Sequence, residues 1–231
     1  MFIGHYAVAL VAKRVAPQTN LGILFAAVQL PDLLWPILLL TGKEKVLIEP
    51  NHLPFSPLHF THYPISHSLL TNLGWAGLFG LAYWLITGYR KGAWAVGLGV
   101  LSHWFLDAIV HEPDLPLIPG NTARVGLGLW HSISLTIALE GLLLVGAIWY
   151  YLKATPGKGR REPFGFWLLL GLVVFLYLSG PFSPPPGDVT SLALFALSGC
   201  LIPFIAGWID YRRTHRQASQ PVNSGTALVN R

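Results

Sequence analysis

GAWAVGLGVLSHWFLDAIVHEPD, residues 92–114, is the stretch on which the fold turns. Its first part, 92–110, is apolar and of membrane-crossing length, for which about 20 residues suffice. Yet it carries His103 and Asp107 one helical turn apart, with His111 a turn further on. Ionisable side chains are costly in a bilayer core and mark functional positions there. His103 and Asp107 share a helix face, so both can ligate one ion, whereas His111 falls about 80° round from His103. The pair reads as two ligands, and His111 as the outer mouth of the site.

The composition sets the solvent. Hydrophobic residues make up 53% of the 231-residue chain and charged residues 11%, against about a quarter charged in ordinary globular domains. Nine tryptophans and 24 glycines suit aromatic belts and close helix packing in lipid. The net charge of +5 is gathered in short clusters between apolar runs, the pattern of topology signals, and no nucleic-acid partner is expected. Cys200 is the lone cysteine and leaves the redox compartment open.

Apolar runs at about 20–41, 66–88, 92–110, 128–152 and 191–209 are long enough to cross a membrane, and 164–180 is shorter but uncharged. The expected class is therefore all-α, a polytopic transmembrane helix bundle of about six spans in a single domain, residues 1–211. The apolar part of 2–12 is too short to cross and reads as a half-helix or interfacial helix ending at Lys13 and Arg14. Its positive charges follow the apolar run, the wrong order for a cleavable signal peptide. The polar tail, 212–231, reads as disordered.

Alternating the spans back from RRTHR puts Lys13, Arg14, Arg90, Lys91, Lys153, Lys158, Arg160, Arg161, Arg212, Arg213, Arg216 and Arg231 on one side. Lys43, Lys45 and Arg124 fall on the other, so the 15 basic residues split 12 to 3. The positive-inside rule then predicts both termini in the cytoplasm and loops 42–65, 111–127 and 181–190 facing out. The two halves lack visible similarity, which argues against an inverted-repeat transporter.

Helical rise sets depth. Asp32, His103 and Glu140 each lie roughly 16 to 18 Å into their spans, and His5 roughly 19 Å if the first helix is re-entrant. Asp107 and His67 lie nearer the outer face. Imidazole and carboxylate on facing helices suit zinc, with manganese or iron as alternatives. In the outer loop NHLPFSPLHFTHYPISHS, 51–68, His52 and His59 read as headgroup-level residues, while His62 and His67 run directly into a span. Ser66 is placed to cap that helix. His111, Glu112 and Asp114 read as a solvated loop and His131 as an interfacial hydrogen-bonder; Arg124 is positioned to pair an anionic substrate.

GHY at 4–6, LPD at 30–32, HYPISHS at 62–68 and SHWFLD at 102–107 resemble the bacterial inner-membrane metal-dependent hydrolases, once catalogued as a domain of unknown function and including a LexA-regulated, LexA-binding type. The resemblance covers roughly residues 1–110. It implies metal ligation by His5, Asp32, His62, His67, His103 and Asp107. Leu34 stands where that family has a second acid, and Tyr63-Pro64 where it has Arg-Gly; Glu140 is the candidate replacement for the missing carboxylate.

The first functional reading is a membrane-embedded metal-dependent hydrolase acting on a lipid or other amphiphile, with Asp32 or Glu140 as general base. No G-x-S-x-G elbow accompanies Ser66, Ser68 or Ser102. Alternatives are a transporter or permease using the same cluster for metal or protons, and a non-enzymatic membrane adaptor.

Overall fold

The structure is a computed structural model and describes residues 1–120, 123–153 and 164–218. Among these, five helical segments are long and apolar enough to cross a membrane, or six if one bent pair counts as a span. The expected all-α transmembrane bundle is what the chain forms.

Helix α1, Ile3–Val15, sits at its centre. Ile3, Gly4, His5, Tyr6, Ala7, Ala9, Leu10 and Lys13 are all buried. A helix covered on so much of its circumference belongs inside a bundle rather than on a surface. It is thus a short helix enclosed by the bundle. At its C-terminal end Lys13 Nζ donates to Asp210 Oδ2 at 2.7 Å and to the Thr19 carbonyl at 2.8 Å. Arg14 donates to the Tyr150 carbonyl.

The expected span 20–41 is broken. Helix α2, Leu21–Val28, and helix α3, Leu30–Leu40, meet at Gln29 with a bend of 56°. Pro31 causes the break, because it has no N–H to continue the ladder and disfavours helical geometry in the residue before it. Asn20 caps α2 by accepting from Gly22 N. Gly22 also permits a close crossing: a Cβ there would lie 2.3 Å from the Pro203 carbonyl and 2.7 Å from Gly207 Cα. Only glycine lets these backbones meet.

A short helix α4, Pro64–His67, leads into α5, Leu69–Thr87, which packs along α6, Arg90–Val110. Ser68, not Ser66, caps α5 by accepting from Thr71 N. Helix α7 runs Ile133–Lys153 and α8 Phe164–Ser179. The last span is also in two parts, α9, Val189–Ser198, and α10, Leu201–Ala218. Helix α10 continues beyond residue 212, so the start of the expected tail is helical. Residues 219–231, like Lys158, Arg160 and Arg161, lie outside the described residues.

The loops at the end away from Lys13 are built rather than loose. Strands β1, Lys45–Ile48, and β2, Leu58–His62, form an antiparallel hairpin with Val46 opposite Phe60. Strands β3, Leu115–Pro116, and β4, Arg124–Val125, form a smaller one. Val46, Phe60, Tyr63, Trp104 and Leu115 bury together beneath them with Trp35 and Leu39 of α3. His111 and Asp114 belong to this cap and are buried, which corrects their expected place in a solvated loop. Tyr63 holds them there by donating to Asp114 Oδ1 at 2.9 Å, and burial beside that carboxylate keeps its hydroxyl well above its ordinary pKa. Arg124 donates to the carbonyls of Asp114 and Thr61 and so ties loops together.

Candidate metal centre

Four helices bring His5, Asp32, His67, His103 and Asp107 to one point. Their donor atoms form two overlapping groups that could hold a metal ion, His5–Asp32–His103 and His67–His103–Asp107. Within each, the atoms lie within 4.8 Å of one another. Helices α1, α3 and α4 each supply one of these side chains and α6 two.

The tautomers follow from the hydrogen bonds. His103 Nδ1 lies 2.7 Å from the carbonyl of Val28, the last residue of α2, and must donate to it. In a neutral ring that leaves Nε2 with a lone pair. On His67 the sequence of donors is equally constrained. Ser66 Oγ donates to Glu44 Oε2 at 2.6 Å, so it accepts from His67 Nδ1, also at 2.6 Å. Glu44 is in turn fixed by the backbone N–H groups of Ile65 and Ser66, 2.8 Å away. A carboxylate, a hydroxyl and an imidazole thus form a chain that points His67 Nε2 inward.

Inward lie more acceptors. His103 Nε2 is 3.0 Å from Asp107 Oδ2 and 3.7 Å from Asp32 Oδ1. His67 Nε2 is 3.4 Å from Asp32 Oδ1 and 3.7 Å from Asp107 Oδ2. Despite this crowding, His103 Nε2 is a buried atom with no partner in hydrogen-bond geometry. Lone pairs and carboxylates that converge without a proton between them repel unless a cation joins them. This donor set fits a divalent metal ion.

His5 packs behind the pair. Its ring stacks on His103, and its Nε2 reaches Asp107 Oδ1 at 3.1 Å. Its Nδ1 is a second buried atom without a partner. The Met1 amino group also donates to Asp107 Oδ1. Of the five ligand candidates only Asp32 is open, its side chain 38% exposed against 4% or less for the others. The cluster is therefore reached past Asp32.

Two expected site residues lie elsewhere. His62 is exposed at the end of β2, opposite Lys45, where the pairing with β1 is irregular between Lys45 and Val46. Glu140 is buried, but its Oε2 accepts from Phe2 N at 2.8 Å and Gly4 N at 3.0 Å. It caps the N-terminus of α1, where the unpaired N–H groups of a helix favour a carboxylate. It belongs to neither donor group. Conversely, sequence reading missed Glu44, an acid in a loop with no periodicity to flag it.

Comparison with known proteins finds no matching family model, no matching curated protein and no matching solved structure.

Proposed function

We propose that the chain is a membrane-embedded metal-dependent hydrolase whose single ion is held by His67, His103 and Asp107 and whose substrate is a lipid or another amphiphile. The observation that carries the reading is the convergence of His67 Nε2 and His103 Nε2, both tied back through Nδ1, on Asp32 and Asp107. One ion follows from the sharing of His103. An imidazole nitrogen binds one metal, and the ring's other nitrogen is committed to the Val28 carbonyl. Zinc suits the mixed nitrogen and oxygen donors, with manganese or iron as alternatives.

When bound, such an ion supplies Lewis acidity towards an ester or phosphoryl oxygen and towards water. The chain's own contribution is placement. Asp32, exposed where the others are sealed, is the carboxylate free to take a proton from an entering water through Oδ1. Glu140 is withdrawn from that role by its bonds to α1. His5 holds Asp107 in position from behind. Exposed apolar faces on α5, α7 and α8, including Leu85, Leu142 and Phe175, fit a site supplied from lipid.

A transporter needs a path to the opposite face. Along α1, between His5 and Lys13, Tyr6, Ala9 and Leu10 are sealed in the core, which favours the hydrolase. The charge asymmetry of the sequence supports an inner-membrane location with the site towards the outer face.

The test is turnover. Detergent-purified protein loaded with Zn²⁺ is presented with glycerophospholipid in mixed micelles, and fatty-acid and phosphate release are measured. Turnover that is lost on chelation and falls about 100-fold or more in Asp32→Asn supports the reading. Equal turnover in wild type, Asp32→Asn and His103→Ala contradicts it, as does metal-coupled ion flux in proteoliposomes without hydrolysis.

A further inference from the structure

A second cluster of donors lies outside this site, on the β1–β2 hairpin. Glu49, His52 and His59 place ligand atoms within 4.8 Å of one another. His59 Nδ1 is 3.3 Å from Glu49 Oε1, and His52 Nδ1 is 3.7 Å from Glu49 Oε2. The two imidazoles stack with centroids 4.4 Å apart.

The scaffold beneath them is fixed. Glu49 N donates to the Pro57 carbonyl at 2.7 Å and His52 N to the Glu49 carbonyl at 2.9 Å, closing the loop that carries both. His59 stands on β2, opposite Leu47. No long flexible segment has to be ordered for the donors to meet.

His52 supplies the independent observation. Its Nε2 is a buried atom with no partner in hydrogen-bond geometry, although Glu112 Oε1 lies only 2.8 Å away. Both ring nitrogens therefore face carboxylates, Nδ1 towards Glu49 and Nε2 towards Glu112. A neutral imidazole carries one proton, so one lone pair is left opposing an anion. A cation shared with Glu49 relieves that conflict. Glu112 then takes the remaining N–H, the arrangement that carboxylates behind metal-ligating histidines adopt.

We propose that Glu49, His52 and His59 form a second divalent transition-metal site, with Glu112 orienting His52. Two imidazoles and one carboxylate suit Zn²⁺, leaving a fourth position open to solvent. Glu49 and His59 are 46% and 37% exposed at their side chains, so the ion exchanges with the aqueous phase. Because Glu112 follows α6 directly, a bound ion also ties the β1–β2 hairpin to the end of the helix that carries His103 and Asp107. The site is independent of the proposed hydrolase activity.

The experiment is a Zn²⁺ titration of the full chain in detergent, stripped first with chelator, in competition with a chromophoric chelator. Wild type is compared with His52→Ala/His59→Ala, Glu49→Gln and His103→Ala. The double outer variant is expected to take up one equivalent fewer than wild type, and His103→Ala to retain the outer equivalent. Glu49→Gln is expected to weaken that equivalent about 10-fold or more. Co²⁺ absorption, recorded on the same samples, is expected to lose its outer-site band only in the outer variants. Unchanged uptake in the double variant, with its thermal unfolding matching that of wild-type apoprotein, overturns the proposal. So does a wild type whose zinc equivalents all disappear with His103→Ala. Loss of the outer equivalent with no effect of His103→Ala upholds this site while removing the one in the membrane.

Discussion

The rings of His5 and His103 stack face to face, with centroids 3.9 Å apart and planes 5° from parallel. This contact joins the short helix α1 to the long span α6. Asp107 lies against both rings, meeting His5 Nε2 through Oδ1 and His103 Nε2 through Oδ2. The stack makes α1 the back wall of the site. His5→Ala leaves His67, His103 and Asp107 intact, so it is expected to lower zinc affinity while keeping the stoichiometry. Competition titration reads both, and loss of a whole equivalent would make His5 a ligand in its own right.

Glu44 is linked to the candidate ligand His67 through Ser66. It receives the Ser66 hydroxyl proton and so fixes Ser66 as the acceptor for His67. Glu44→Gln disturbs that chain without touching a ligand. Zinc affinity is expected to fall 10- to 100-fold, the usual effect of removing a group that orients a metal-bound histidine. An unchanged affinity would show that His67 needs no such support.

Glu140 separates a structural carboxylate from a ligand. Its Oε2 takes two backbone N–H groups of α1, and it is fully buried. Glu140→Ala leaves these donors unpaired and is expected to destabilise the protein by about 1.5–3 kcal/mol. Zinc uptake by the folded fraction stays at the wild-type number of equivalents. Thermal unfolding and metal analysis on one sample check both statements.

The Lys13–Asp210 contact locks the opposite end. The pair is buried, at 9% and 5% side-chain exposure, and Asp210 also accepts from Leu21 N. Removing one partner strands the other charge, so Lys13→Ala is expected to cost about 3–5 kcal/mol. Lys13→Met/Asp210→Leu is expected to cost less than the sum of the single changes. Additive losses in denaturant unfolding would mean that the pair is not coupled.

The bundle was legible because span length and charge spacing are local properties of the chain. The pair His103 and Asp107 was legible for the same reason, since a spacing of four residues puts both on one face of a helix. Asp32 was legible from depth, and His5 from depth if the first helix is re-entrant; His67 came from its place at the outer start of a span and from the family resemblance. What escaped was set by contacts between distant segments. His62 and His67 look equivalent in HYPISHS, but His62 ends β2 in the open while His67 lies buried in the short helix α4. Glu140 is expected at the depth of Asp32 and His103, yet the N-terminus of α1 claims it. His111 and Asp114 follow a helix end, where solvent exposure is the natural reading. They are buried because Tyr63 and the hairpins close over them.

The central claim is that His67, His103 and Asp107 hold one metal ion. The most direct measurement is zinc-edge X-ray absorption, with metal content, on the His52→Ala/His59→Ala chain, in which only the membrane site remains. The account predicts one zinc per chain, with nitrogen and oxygen neighbours at about 2.0–2.1 Å, histidine scattering beyond them, and loss of the ion in His103→Ala. A chain that retains no zinc, or one that retains it unchanged after His103 is replaced, would contradict the account.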